Sequence, residues 1–184
     1  MMKWTIDPDH SGAAFSVRHM MIAHVRGQFC KIRGTVFFDP LNITSSSIEL
    51  SIDASSIFTG VQKRDDHLKS PDFFDIDKYP AISFTSTQIH SVNGNKAQVT
   101  GDLTIHGITR QVTVSVEFSG PVEDPFGDGS SMGFTVSAMI NREDYGIMWN
   151  QPMANNGIMV GRDVQLFIDL AADLAPGSRH LPLR

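Results

Sequence analysis

The chain of 184 residues is poor in several features that mark common functional classes. It has one cysteine, Cys30, so no disulfide can form within it, and zinc-finger modules, which need several convergent Cys and His ligands, are excluded. No basic run is longer than Lys63-Arg64, and 15 Lys+Arg against 20 Asp+Glu leave a formal net charge of -5. A nucleic-acid partner, held through clustered cations that displace counterions, is therefore not expected. No stretch approaches the roughly 18 apolar residues of a membrane-spanning helix, since Met20-Met21-Ile22-Ala23 is flanked by His19 and His24. The start, Met1-Met2-Lys3 running into Trp4-Thr5-Ile6-Asp7-Pro8-Asp9, lacks the basic-then-apolar form of an export signal. A soluble, cytoplasmic protein is expected as written, and a periplasmic one if a signal sequence was removed.

Catalytic motifs are scarce as well. There is no G-x-S-x-G elbow and no H-E-x-x-H pair, and the glycines of Gly127-Asp128-Gly129-Ser130-Ser131 precede a strand pattern, so no helix N-terminus is offered to a phosphate. Seven histidines invite a metal reading, yet His19 and His24 lie five apart in a strand-like region and so face opposite sides. Neither a catalytic residue nor a metal or other cofactor is expected. Cys30, in an alternating apolar stretch, is expected to be a buried, inert thiol.

What the chain has in abundance is period-two alternation, in a composition of 41% hydrophobic and 19% charged residues that suffices for one core. Phe15 and Val17 alternate within Ala14 to Arg18. Ile32, Val36 and Phe38 follow, then Leu50 and Ile52, then Ile82 and Phe84. Leu103 and Ile105, then Val114, then Phe134 and Ile140 continue the pattern, and Val164 to Ala172 closes it. About eight strands result by this reading. Asn93-Gly94-Asn95 and, less decisively, His106-Gly107 mark tight hairpins. Two short helices are expected between Gly60 and Tyr79, one capped by Thr59 and one begun by Ser70-Pro71. Ser119 to Ser131 and Asn141 to Gly161 read as loops, the second unusually apolar, with Met148 and Trp149 as plug or lid.

Long antiparallel strands with one apolar and one Ser/Thr-rich face must bury the apolar face. Closure into an eight-stranded barrel does so and removes the edges; a two-sheet sandwich is the competing all-β answer. Small residues at expected inward positions (Ala14, Cys30, Gly34, Ala54, Ala97, Gly101, Ala138 and Ala172) either leave a cavity or serve close packing of a solid core. A cavity walled by Ile, Leu, Val and Phe would take an apolar guest.

In order along the chain stand Ile6-Asp7-Pro8-Asp9-His10-Ser11, Phe15-Ser16-Val17-Arg18-His19, Gly27-Gln28-Phe29, Thr59-Gly60, Arg64-Asp65-Asp66-His67-Leu68 and Ser70-Pro71-Asp72-Phe73-Phe74-Asp75. Tyr79-Pro80, Gly101-Asp102-Leu103-Thr104-Ile105-His106-Gly107-Ile108-Thr109 and Asn141-Arg142-Glu143-Asp144-Tyr145-Gly146 complete the series. From about Trp4 to Leu174 this pattern resembles the YceI-like family. The resemblance implies an extended lipocalin-like antiparallel barrel over residues 1–175, followed by a tail, 176–184. It also implies a long isoprenoid ligand inside, such as a polyprenyl pyrophosphate, a polyprenylated phenol or a ubiquinone-like lipid. The expected lining is Phe15, Val17, Ile32, Val36, Phe38, Leu50, Ile52, Phe74, Ile82, Phe84, Leu103, Ile105, Val114, Phe134, Ile140, Met148 and Trp149.

The expected function is non-enzymatic binding, storage or transport of an isoprenoid lipid, with a homodimer left open. His10, His19, Arg64 and His67 are the candidate head-group contacts. The same four would form the polar constellation of the alternative, an enzyme acting on such a lipid at the barrel mouth. A third alternative is an empty barrel that works through protein contacts.

Overall fold

The computed structural model describes residues 1–39, 42–123, 125, 129–153 and 157–177. Ten antiparallel strands form one sheet: β1 (Met2–His19), β2 (Ala23–Phe29), β3 (Ile32–Phe38), β4 (Ser47–Asp53), β5 (Ile57–Phe58), β6 (Ala81–Asn93), β7 (Lys96–Ile105), β8 (Ile108–Glu123), β9 (Ser130–Asn141) and β10 (Val160–Leu174). The order β10-β9-β8-β7-β6-β4-β3-β1 is closed by pairing of β1 back onto β10, from Trp4↔Leu174 to His19↔Val160. Eight strands thus make a closed barrel, and the sandwich alternative falls. The short strands β2 and β5 prolong β3 and β4: β2 continues along β1, and β5 pairs with β2.

β1 is far longer than Ala14 to Arg18, because it begins at Met2 and changes phase midway. Trp4 and Ile6 are buried, whereas beyond residue 12 the apolar side is carried by the odd positions Ala13, Phe15 and Val17. The change occurs between Asp7 and Gly12, whose partners on β10 are Ala171 and Asp169, so β1 spends three more residues than β10 there. Asp7 accepts from the Asp9 amide (2.9 Å) and pairs with His10 Nδ1 (2.6 Å), and Ser11 Oγ accepts from the Ala171 amide (3.0 Å). Pro8 has no amide to leave unpaired. The Asp-Pro-Asp-His-Ser stretch is therefore a bulge that re-aims the strand. Ala13, not Ala14, is the buried alanine.

Both predicted hairpins form. In the second, His106 (φ 51) and Gly107 (φ 73) both adopt the left-handed conformation that a two-residue turn between twisted strands requires. Ser119 to Ser131, expected as a loop, is strand at both ends: β8 runs to Glu123, and Val122 pairs with Ser131 across a bulge that absorbs Gly120-Pro121. Gly127 and Asp128 lie outside the described residues, as do Ser178 to Arg184 of the expected tail. Cys30 corrects another expectation, since it is exposed at the break between β2 and β3, where inward alternation lapses.

The chain between β5 and β6 forms one helix, α1 (Gln62–Lys69), not two. After it, Ser70 to Tyr79 is a series of turns: the Ser70 carbonyl accepts from the Phe73 and Asp75 amides (both 3.0 Å), and Asp75 has φ 46, which stops helical propagation. Thr59 does not cap α1; the N-cap is Val61, without a side-chain cap bond. The relation is reversed. Asp65, buried inside the helix, accepts from the Thr59 amide (2.9 Å) and hydroxyl (2.5 Å), while Arg64 donates to Thr59 Oγ1 (2.7 Å) and to its carbonyl (2.9 Å). These bonds tie α1 to the end of β5. Asp65→Ala, which leaves two inward donors unpartnered, is expected to destabilise the fold by about 2 to 3 kcal/mol, measured by urea denaturation. An unchanged midpoint would refute this role.

Candidate functional site

Among the described residues, apolar chambers adjoin one another inside the barrel. The largest of three, about 140 Å³, is walled by Ala13, Phe15, Val17, Phe29, Phe73, Phe74, Ile105, Ile140, Arg142, Tyr145 and Ile147 among others. The central chamber, about 70 Å³, shares Ile52, Ile82, Leu103, Leu166 and Ile168 with it. The third, about 20 Å³, shares Val36, Ile48, Val99, Val116 and Phe134 with the central one and ends at Phe38, Ile43 and Phe118. Shared wall residues place the chambers next to one another in this order of decreasing size. A ten-residue strand such as β7, tilted as barrel strands are, spans about 25 Å of axis.

The lining is almost wholly hydrocarbon. Ser83 is the polar residue on the central wall, and Arg142 and Tyr145 are those on the wide one. A cavity so lined gives water too few hydrogen-bond partners, and its wall atoms lack dispersion contacts on one side, so apolar matter is the favoured filling.

Most of the residues expected inside do line these chambers. Phe15, Val17, Phe74, Ile105 and Ile140 face the wide one, Ile52, Ile82 and Leu103 the junction, and Val36, Leu50, Phe84, Val114 and Phe134 the central one, while Phe38 lies at the narrow end. Ile32 is fully buried but packs in the wall outside the three chambers. Met148, expected in the lining, is 60% exposed and lines none of the three chambers. Trp149 is half-buried and covers the wide end from outside, its ring 5.3 Å from Phe73 and 4.8 Å from His67. Gly101, expected to face inward either as spare room or for close packing, serves close packing, because a Cβ there would lie 2.5 Å from both the Phe84 ring and the Thr85 carbonyl oxygen.

The four polar candidates do not gather into one constellation. His10 is exposed at the β1 bulge beside Asp7, whose hydrogen bond raises its pKa and lowers that of Asp7. His19 ends β1, opposite Ala23 and Val160. Arg64 is engaged with Thr59, and His67 binds Asp72 (2.8 Å) with its ring against Phe73 and Trp149. His67 alone of the four touches the residues that close the wide chamber. Among the described residues no group of three His, Cys, Asp or Glu side chains is placed to hold a metal ion.

Two polar wall residues escaped the sequence pattern. Arg142 and Tyr145 sit in the stretch Asn141-Arg142-Glu143-Asp144-Tyr145-Gly146, read from sequence as the start of a loop, and both are buried in a 3-10 turn after β9. Arg142 donates through Nε to the Gly161 carbonyl (2.8 Å), through Nη1 to those of Ile147 (2.6 Å) and Trp149 (3.0 Å), and through Nη2 to that of Val160 (3.3 Å). Burial lowers its pKa, with Glu143 acting in the opposite sense. Asn150 adds to this, accepting from the Met159 (3.0 Å) and Val160 (3.1 Å) amides and donating to the Val160 carbonyl (2.8 Å). One guanidinium therefore stitches both ends of the 147–159 segment over the wide chamber, a use of the five-donor fork that lysine cannot reproduce.

A closed antiparallel barrel around an apolar interior, covered at its wide end by a strapped segment, defines a lipocalin-like binding barrel. The chain belongs to the YceI-like family: the model of the YceI-like domain matches residues 4–172. Among curated proteins, UPF0312 proteins of Staphylococcus aureus are similar, one from strain MSSA476 being 37% identical over 90% of this chain and 94% of its own, and one from strain N315 39% identical over the same shares. Among solved structures, Burkholderia cenocepacia BcnA superposes with a TM-score of 0.79 at 27% identity, covering 90% of this chain and 98% of that one. A Campylobacter jejuni YceI protein gives 0.72 at 26% identity, covering 86% and 90%. A polyisoprenoid-binding domain from Saccharophagus degradans shares the fold, with a TM-score of 0.69 over 95% of this chain and all of that one at 13% identity.

The stitching by Arg142 yields a prediction. Arg142→Met keeps the bulk but strands buried carbonyls, and a loss of about 3 kcal/mol or more is expected, with new proteolytic cuts between residues 147 and 160. Arg142→Lys is expected to rescue little. Thermal melts and limited proteolysis check both, and a wild-type profile for either variant would contradict the assignment.

Proposed function

We propose that the protein binds a single isoprenoid lipid along the barrel axis and stores or transfers it without changing it chemically. The observation that carries this reading is the interior itself: chambers that diminish from the wide end to a narrow end at Phe38 and Phe118, with walls almost wholly apolar and no charged side chain on them except Arg142 at the wide end. Such a shape suits a chain with one polar end and a long apolar body. Burial supplies the affinity, at about 0.8 kcal/mol for each methylene removed from water, so a chain of several isoprene units needs few specific contacts. Membership of the YceI-like family and the fold shared with a polyisoprenoid-binding domain support the same ligand class.

Transfer requires a door. Trp149, against Phe73 and His67, lies in chain between β9 and β10 that is outside the barrel ladder and is held by hydrogen bonds from Arg142 and Asn150. Opening there costs contacts but breaks no barrel pairing. The enzymatic alternative finds less support, because the side chains of His10 and Arg64 are engaged by Asp7 and Thr59, neither of which lines a chamber.

Organic extraction of the purified protein followed by mass spectrometry tests the proposal. A polyprenyl species near one per chain, recovered unaltered after incubation, is the expected result. Chemical conversion of the lipid would favour the enzyme, and the absence of any extractable lipid, with no uptake of an added one, would favour an empty barrel.

A further inference from the structure

The rim of the wide chamber carries an apolar prominence that the interior does not use. Between β1 and β2 the chain turns through Met20, Met21 and Ile22, above the pair His19↔Ala23. Met21 is 58% and Ile22 82% exposed. The Met20 amide donates to the Met159 carbonyl (2.8 Å), which brings the exposed Ile158 to the same place. Val17 on β1 and Val160 on β10 line the wide chamber just behind this tip.

The backbone of the tip is an unusual choice for a turn in water. Met20 (φ 50) and Met21 (φ 63) are both left-handed, a conformation that crowds a side chain and that exposed turns ordinarily give to Gly or Asn. The hairpin between β6 and β7 follows that rule with Gly94 (φ 50). Apolar side chains at the β1–β2 tip therefore carry a steric cost as well as the cost of exposure to water.

Charge is sorted around the same point. Residues His10 through Phe38 and Tyr145 through Arg162 include no Asp or Glu, although the chain has 20, and these are the two segments that meet at Met20 and Met159. Arg18 pairs with His24 and Ser16 with Arg26, so Arg18, His24 and Arg26 share the outer face of the hairpin, opposite the inward Phe15 and Val17. All three are exposed. Acids at the wide end stand on α1, on the turns after it and at Asp144; of these, Asp65, Asp66 and Asp72 are engaged by Thr59, Gln62 and His67. Beyond the narrow end Val122 is exposed too, but beside Glu123.

We propose that the β1–β2 tip docks the protein on an anionic phospholipid bilayer. Met21 and Ile22 enter the boundary between head groups and acyl chains, and Arg18 and Arg26 meet the phosphates behind them. A convex tip a few side chains wide falls short of the roughly 1,000 Å² that a specific protein interface buries, whereas a bilayer yields around a wedge of this shape. Because the chain as a whole is anionic, with a formal net charge of -5, attraction confined to one basic hairpin also orients it. Docking is read from the outer surface and does not depend on what the barrel holds. Where the barrel holds a lipid, docking sets the rim of the wide chamber against the phase in which lipids reside.

Flotation of the delipidated full chain with vesicles tests this, with phosphatidylcholine alone or mixed with phosphatidylglycerol. Binding to the mixed vesicles, weakened by added salt, is expected, with little binding to phosphatidylcholine alone. Met21→Ser combined with Ile22→Ser should lower the partition constant about tenfold or more. Arg18→Gln combined with Arg26→Gln should lower it about twentyfold, and Val122→Ser should leave it unchanged. Because these side chains are exposed, wild-type melting is expected throughout. A second measurement does not rely on loss of function: with Cys30→Ser, a bimane label on Met21→Cys should shift its emission to the blue on mixed vesicles, and the same label on Val122→Cys should not.

Equal binding to both kinds of vesicle would overturn the anionic surface as the partner. A label at position 21 that stays in water, or full binding by the Met21 and Ile22 double variant, would overturn the tip as the contact. No vesicle binding by wild type, with a concentration-dependent dimer that the same double variant abolishes, would assign the tip to a second copy of the chain and overturn the proposal; no vesicle binding without such a dimer would overturn it as well. The protein carries no guest in these assays, so each failure leaves the reading of the barrel interior untouched.

Discussion

Pairing of β1 with β10 is the interaction on which the rest of the structure depends. It joins the two ends of the chain over nearly the full length of both strands and leaves the barrel without an open edge along its seam. Because the register of a strand decides which side chains point inward, the seam also decides the lining. The bulge at Asp7 to Gly12 lets one strand serve two registers: Trp4 and Ile6 pack near one end, and Phe15 and Val17 face the wide chamber at the other. A straight β1 would turn one of those sets to solvent.

The polar motifs serve mainly to hold apolar surfaces in place. Asp7 and Ser11 shape the bulge, Asp65 and Arg64 fasten α1 to Thr59, and Arg142 straps the segment over the wide end. Each satisfies backbone groups that irregular chain leaves without a ladder partner, the usual price of interrupting a sheet. With those charges engaged structurally, the walls of the chambers are left almost wholly apolar among the described residues.

Alternation made most of the barrel legible in advance. Val36, Leu50, Phe84, Leu103, Val114 and Phe134 line the interior as period two requires, because each lies on a strand whose neighbours keep it straight. Legibility failed where the period was broken. Cys30 falls at the β2–β3 break and is exposed, and the first half of β1 was hidden by its bulge. Gly101 is small to admit the Phe84 ring, a fact set by the neighbouring strand and invisible in its own. Arg142 and Tyr145 fall in a stretch that reads as the start of a loop, and only the turn that carries them inward buries them.

By itself the sequence determined an all-β antiparallel chain with one face to bury, since long strands alternate evenly between hairpin turns, while the β1–β10 pairing decided for the closed barrel over a sandwich. It determined as well that the interior is apolar, because the alternating residues are Ile, Leu, Val and Phe whichever strands they meet. Tertiary structure alone decided how much of that interior is empty, which end is wide, and which polar groups remain unspent. Those are properties of side chains meeting from strands far apart in the chain, Phe84 against Gly101 or Arg142 against Gly161, and a one-dimensional pattern carries the facing of each residue but not the identity of what it faces.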